Sequence, residues 1–155
     1  MNFNDNGRKF EEAQWKNGEL SGKTTMWDNS GRKSIIKSFK EDEKDGLWVW
    51  WSPSGNKAKE GSYKLGQKHG KWTFYYADGS KKRLEHYDKD KKNGKLIRWY
   101  ANGQKSQEEF YKNDEKHGKF KYWFDNGRLE KEEKFSNGVQ TLSLIHISEP
   151  TRQLC

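Results

Sequence analysis

Five residues stand out, by type and by their place in a repeating pattern, as those from which chemistry could be built: His69 and His117, and the carboxylates Glu60, Glu108 and Glu132. Histidines can hold a metal or move a proton, and paired carboxylates can divide acid and base work. Their spacing argues against both. His69 and His117 stand two periods of a 24-residue repeat apart, which on strands about 4.8 Å apart separates them by roughly 20 Å. One Zn²⁺ needs its ligand atoms within about 2.3 Å, so the two cannot share an ion. The same column holds Ser21, Asp45 and Asn93, which points to a turn position. The three glutamates are also spaced by whole repeats and each has a lysine nearby, so cross-strand ion pairing is the expected role. No Ser, His and Asp arrangement stands out, and no glycine loop leads from a strand into a helix as a phosphate site requires. No catalytic, metal or cofactor-binding residue is assigned, and an enzyme is not expected.

What remains is a surface. Aromatic residues make up 15% of the chain, with eight Trp, and they are interleaved with Lys and Arg at fixed phases of the repeat. Trp48, Trp50, Trp72, Phe74, Tyr76, Phe120 and Tyr122 are the candidate partner-binding residues, because clustered Trp and Tyr anchors carry most of the energy of many interfaces. Rings beside cations can also stack bases and neutralise phosphates. The interleaved Glu85, Glu108, Glu109, Glu132 and Glu133 weaken that use and favour a protein partner. The competing reading of each ring is that it packs only against other rings and against lysine stems.

The elements that position these residues follow from the repeat. Glycines recur at Gly7, Gly31, Gly55, Gly79, Gly103 and Gly127, and again at Gly22, Gly46, Gly70, Gly94 and Gly118, always 24 residues apart. Such a period marks a tandem array. Each unit offers two strands. One runs through segments such as 57–63 and ends on an aromatic (Trp15, Phe39, Tyr63, Tyr87, Tyr111, Phe135). The other is the aromatic run itself, as in LWVWW at 47–51 and KFKYWF at 119–124. Both are rich in aromatic and β-branched residues and bounded by turn formers.

After each aromatic run stands a pair such as Asp78-Gly79 or Asn126-Gly127, which predicts a two-residue type I′ hairpin. The other connection, such as 64–70 with Gly66 and Gly70, is expected to be longer. Counting outward from the short turns pairs Lys121 with Glu132 and Thr73 with Leu84. The same count places Trp72, Phe74 and Tyr76 on one face with Lys81, Arg83, Glu85 and Tyr87, while Thr73 and Tyr75 look the other way. The fold class expected is all-β: tandem 24-residue β-hairpin repeats in an elongated antiparallel meander, a single-layer twisted sheet of roughly a dozen strands, advancing by about 10 Å per unit.

Composition constrains the rest. Only 30% of the 155 residues are hydrophobic and 35% are charged, with a mean hydropathy of −1.39. Such averages usually accompany disorder. Rings that each bury on the order of 150 to 250 Å², covered by long lysine stems, overrule it. The net charge of +8 permits contact with nucleic acid, anionic lipid or an acidic protein without choosing among them. The single Cys155 rules out an internal disulfide. No stretch approaches the ~20 apolar residues of a membrane span, and MNFNDNGRKF lacks the apolar core of a signal peptide, so the cytoplasm is the default expectation. The repeat phase breaks at Leu142. From there LSLIHISEPTR resembles a translated sequencing adapter, which sets the expected boundary between an array at 1–141 and a non-native tail at 142–155.

With the units aligned, the pattern NGxxxxExxYxxGxxHGxWxxYYxxG resembles the MORN-repeat-variant family, and within it proteins described as YwqK-like antitoxins of toxin–antitoxin pairs. Residues 55–79 and 103–127 carry the likeness, through Glu60 and Glu108, Tyr63 and Tyr111, and His69-Gly70 and His117-Gly118. In the units that start at Gly7 and Gly31 the pattern drifts, with Ile36 in place of the glutamate and Asp42 in place of a turn glycine. The resemblance implies a bacterial repeat scaffold whose protein partner is a toxin. The alternative reading is a peripheral binder of anionic lipid or nucleic acid through the basic aromatic face. Open sheet edges would add a route to self-association.

Overall fold

Two kinds of turn alternate along the chain, and each is set by a few residues. At 17–18, 41–42, 65–66, 89–90, 113–114 and 137–138 both residues have positive φ, as at Lys89 (49°) and Asp90 (66°). The flanking residues pair directly, as Lys64 does with Gln67. These are the two-residue type I′ hairpins. The Asn-Gly and Asp-Gly pairs are something else. Asp78 does not have positive φ, whereas Gly79 does at 88°. Gly79 N–H donates to the Tyr76 carbonyl and Tyr76 N–H to the Ser80 carbonyl. This is a type I turn closed by a left-handed glycine. The expected assignment of the two connections is therefore reversed: the short turn is Leu65-Gly66, and Gly70 lies inside a strand.

The computed structural model describes residues 1–145. The eight-residue strands are β2 (Lys9–Lys16), β4 (Lys33–Lys40), β7 (Lys57–Lys64), β9 (Lys81–Asp88), β12 (Lys105–Lys112) and β15 (Leu129–Ser136). Between them run the aromatic strands. Two are continuous, β3 (Glu19–Trp27) and β8 (Gln67–Tyr75), and three are broken into a two-residue lead and a main part: β5 (Glu43–Lys44) with β6 (Gly46–Trp51), β10 (Lys91–Lys92) with β11 (Gly94–Trp99), and β13 (Glu115–Lys116) with β14 (Gly118–Trp123). β1 (Asn2–Phe3) and β16 (Val139–Ile145) lie at the two edges. All belong to one antiparallel sheet in which chain neighbours are spatial neighbours. The all-β meander is as expected, and among the described residues no helix is long and apolar enough to cross a membrane.

The breaks mark bulges. Ile36 lies opposite Val49 while Phe39 lies opposite Lys44, so two extra residues are taken up around Asp45 and Gly46. Side chains fill the backbone groups this frees: the Ser38 hydroxyl donates to the Leu47 carbonyl, and His86 Nδ1 lies 2.8 Å from the Lys95 carbonyl. The column of Ser21, Asp45, His69, Asn93 and His117 thus precedes bulges within the aromatic strands and is not a turn column.

With one layer, the sheet must find its burial within the layer. On one face Trp48, Trp72, Leu96 and Phe120 form a central column, 6%, 1%, 2% and 0% exposed. Each ring is enclosed by its neighbours. Tyr63 and Tyr87 stand edge-on to Trp72, with centroids at 5.1 and 6.3 Å, and Lys68 Nζ lies 4.9 Å above it. Below, Trp72 rests on Gly61. A Cβ built there would stand 2.1 Å from the indole. Units whose central residue is Leu96 or Phe120 carry Glu85 and Glu109 at the position of Gly61, while Trp72 takes the extra space of a missing side chain.

Hydrogen bonds along both rims couple each hairpin to the next. At the type I′ rim Asp42, Asp90 and Asp114 donate their N–H to the carbonyls of Leu20, Lys68 and Lys92. Their carboxylates accept the N–H of the same three residues at 2.7 to 2.8 Å. Asp42 replaces a turn glycine because it tolerates positive φ and adds this second bond. At the opposite rim the Tyr76 and Tyr100 hydroxyls donate to the Trp99 and Trp123 carbonyls. β16 extends past the boundary expected at residue 141, since Leu142 and Leu144 lie opposite Lys134 and Glu132. All its residues are exposed, so backbone pairing to the open edge of β15 holds it. The remainder of the expected tail, 146–155, lies outside the described residues.

The Gly61 contact yields a test. Gly61→Ala should cost about 1 to 3 kcal/mol through overpacking against the Trp72 ring, read as a fall of several degrees in the thermal midpoint. Restoring space with Trp72→Leu in the same chain should recover part of that loss.

Candidate partner-binding surface

The seven candidate rings occupy one face of the sheet but do not share one role. Trp48, Trp72 and Phe120 are buried and form the core. The indole N–H groups of Trp48 and Trp72 donate to the Ser38 and Ser62 carbonyls. No partner can touch them without rearrangement, so as contact residues they are withdrawn. Tyr76 is half-buried and its hydroxyl is engaged at the rim. Trp50, Phe74 and Tyr122 are half-buried and remain accessible.

These three rings occupy equivalent places, and each is covered by the cation opposite it on the next strand. Trp50 lies opposite Lys59, Phe74 opposite Arg83 and Tyr122 opposite Lys131. The cations stand 4.3, 4.1 and 4.3 Å from the ring centroids. Such contacts are individually modest at exposed sites, but they fix a repeating pattern of flat apolar surface with positive charge above it. In the unit between Phe74 and Tyr122 the equivalent residue is Arg98, opposite Arg83 and Gln107, so that segment is more strongly cationic.

The same face carries a buried polar row that the spacing of single residues did not reveal. Glu85 and Glu109 are 3% and 9% exposed. They accept hydrogen bonds from the hydroxyls of Tyr87 and Tyr111 at 2.7 and 2.9 Å, and Arg83 Nε approaches Glu85 at 3.0 Å. Burial, then the hydrogen bond to Glu109, pushes the Tyr111 phenol up to about 12. Burial raises Tyr87 further, with Glu85 adding to it, and Tyr122 is raised by burial and by Glu133 and Glu109. The phenols therefore act as fixed donors that satisfy buried carboxylates. The Glu-x-Tyr spacing at 85–87 and 109–111 was the available signal.

On the opposite face the glutamates are held in ion pairs, which cross strands as expected for Glu132 and in part for Glu108 but stay within one strand for Glu60. Glu60 pairs with Lys57 at 2.7 Å and accepts from the Tyr75 hydroxyl. Glu108 pairs with Lys105 and Lys95 at 3.0 and 3.6 Å, and Glu132 with Lys119 and Lys121 at 3.2 and 3.8 Å. Lys121 lies opposite Glu132 and Thr73 opposite Leu84, as counted from the sequence. One residue changes face. The register slips between Phe74 and Tyr75, which puts Lys81 opposite Tyr75 and so beside Thr73, not beside Phe74. His69 approaches Asp88 at 3.4 Å and His117 lies beside the Phe110 ring. Among the described residues no three His, Cys, Asp or Glu side chains come together as a metal site.

A one-layer array of hairpins, each bonded only to its neighbours, defines a β-hairpin repeat scaffold. The MORN repeat variant matches it at residues 44–65, 68–89, 92–113 and 116–137, more than half of the chain. The chain belongs to the MORN repeat variant family. No curated protein matches it. Among solved structures, a point mutant of S. aureus TarM in complex with fondaparinux, alpha-GlcNAc-glycerol and UDP is 13% identical, with a TM-score of 0.42 over 70% of this chain and 21% of that one. The accessory secretory protein 1, 2 and 3 structure of Streptococcus pneumoniae is 14% identical, with a TM-score of 0.40 over 72% and 20%. The chain thus spans about a fifth of the length of those proteins.

The ion pairs set an acid response. Burial raises the Glu60 carboxyl, but hydrogen bonds from Lys57 and Tyr75 and the lysine charges outweigh it and hold the group below its ordinary value of 4.5; Glu108 is lowered in the same way by Lys105 and Lys95. A carboxylate depressed in the folded state contributes stability that is complete above its unfolded pKa and is lost as pH falls through the folded value. Stability should therefore fall from about pH 4.5 downward. Urea midpoints of the Glu60→Gln, Glu108→Gln double variant should be lower at neutral pH and flatter between neutrality and acid.

Proposed function

We propose that the chain is a non-enzymatic scaffold that binds a protein partner across the face bearing Trp50, Phe74 and Tyr122. The observation that supports this is the recurrence of a half-exposed, cation-capped ring at the same place in three hairpins, over a buried aromatic column that fixes the position of each. Rigid rings on a preorganised sheet lose little entropy on binding. The cations above them favour a partner that offers carboxylates at the rim and apolar side chains at the centre. The likeness of 55–79 and 103–127 to YwqK-like proteins adds the identity class of that partner: a toxin, encoded beside the gene for this chain, which the scaffold would occlude.

The test uses the product of the reading frame adjacent to the gene for this chain. Calorimetric titration should show saturable binding, and co-expression should relieve any growth arrest the partner causes. The Trp50→Ala, Phe74→Ala double variant should lose roughly tenfold or more in affinity while its circular dichroism spectrum is unchanged. Raising salt from about 50 to 200 mM should weaken the complex by less than the ~10³-fold loss that marks counterion release from nucleic acid. No binding to the adjacent product would remove the toxin reading. A steep salt slope with anionic vesicles or oligonucleotides would replace the protein reading with a polyanion one.

A further inference from the structure

The face opposite the proposed partner surface carries its own row of rings. Trp27, Trp51, Tyr75, Trp99 and Trp123 recur once per hairpin, directly opposite Lys33, Lys57, Lys81, Lys105 and Leu129. The rings are half-buried and the four lysines exposed. Among the described residues the indole N–H groups of Trp27, Trp51, Trp99 and Trp123 have no protein acceptor, unlike those of Trp48 and Trp72. Tyr75 is tied to Glu60. Lys57 and Lys105 are paired with Glu60 and Glu108. The residues three places after Lys33 and Lys81 are Ile36 and Leu84, so these two lysines lack the glutamate that neutralises the others.

From this row we infer a second docking surface, whose occupant is a proline-rich acidic segment in the polyproline II conformation. Three features select it. One hairpin advances the sheet by two strand spacings, about 9.6 Å, and one turn of polyproline II, three residues at ~3.1 Å, advances by about 9.3 Å. A segment with proline at every third residue would therefore place one proline on each successive ring. An extended β peptide repeats a face every ~6.6 Å and falls out of step after one ring. The second feature is the free indole N–H in each Trp. A polyproline II backbone has no internal hydrogen bonds, so its carbonyls are available to these donors, as in other aromatic grooves that read proline-rich chains. The third is charge: the uncompensated Lys33 and Lys81 call for acidic residues between the prolines.

The surface is independent of the one in the preceding subsection, and its test leaves that face intact. The full chain is titrated with a synthetic peptide of Pro-x-Glu repeats about four turns long, following Trp fluorescence. Two control peptides of equal charge and length are used, one with Gly and Ser in place of Pro and one with D-proline. The expected result is saturable binding of the Pro-x-Glu peptide alone, weakened at least about fivefold by Trp51→Ala or Trp99→Ala, since truncating an aromatic anchor of an interface costs a factor of that order. Trp50→Ala, on the other face, should leave it within about twofold. Circular dichroism and the thermal midpoint confirm that each variant is folded, and Trp99→Phe serves where Trp99→Ala is not. The inference is overturned if the Pro-x-Glu peptide does not bind, if the Gly and Ser peptide binds equally well, which would mark simple polyanion attraction, or if Trp50→Ala is as harmful as Trp99→Ala.

Discussion

The structure depends on aromatic rings being buried by their own neighbours in a sheet that has no second layer. Sheets ordinarily hide their apolar side against helices or another sheet. Here Trp72 reaches 1% exposure because Tyr63, Tyr87 and Trp50 crowd it from the sides, Lys68 covers it, and Gly61 lets it lie against the backbone. Lys44, Lys68, Lys92 and Lys116 recur at the same place in four hairpins, each over a ring of its own unit or the next. Lysine stems are thus the outer layer of this protein, which reconciles a charged fraction of 35% with an ordered fold.

That arrangement bears on function. A core covered only by lysine side chains is close to the surface everywhere, so rings one step from the central column, such as Trp50 and Tyr122, are fixed by the sheet yet remain reachable. Coupling along the array runs through the rims, where Asp42, Asp90 and Asp114 and the hydroxyls of Tyr76 and Tyr100 bond from one hairpin to the next. A ligand that spans several hairpins would meet a surface whose spacing is set by backbone pairing and not by loops.

Much of this was legible in the sequence, because a fixed period fixes the phase of every side chain. The meander and the pairs Thr73 with Leu84 and Lys121 with Glu132 follow from counting, whereas the partner of Glu60, Lys57 on the same strand, does not. The turns did not, for a physical reason. Asp-Gly suits both a two-residue type I′ hairpin and a type I turn closed by a left-handed glycine, and the two are separated by the φ of Asp78, which is not positive, and by the hydrogen bond from Gly79 to Tyr76. The same register came out because the longer loop is offset by a bulge opposite Phe74 and Tyr75. That bulge also moved Lys81 to the other face and hid the aromatic and lysine row there. Three of the true type I′ turns, Glu41-Asp42, Lys89-Asp90 and Asn113-Asp114, lack the usual glycine, since each Asp carboxylate has a second task across the rim. Rings packed together under lysine stems were foreseen, but which rings they are was not visible, because all seven share one face and the phase alone does not separate the buried Trp48, Trp72 and Phe120 from the accessible Trp50, Phe74 and Tyr122.

The central claim, that lysine stems and neighbouring rings together take the place of a missing layer, is most directly tested by a double-mutant cycle on Lys116 and Phe135, whose ammonium and ring centroid are 4.8 Å apart. Urea unfolding of Lys116→Ala, Phe135→Leu and the double variant should give a favourable coupling of about 0.5 to 2 kcal/mol. Strict additivity of the two single variants would contradict the account, since it would mean that the lysine lies over the ring without contributing to its burial.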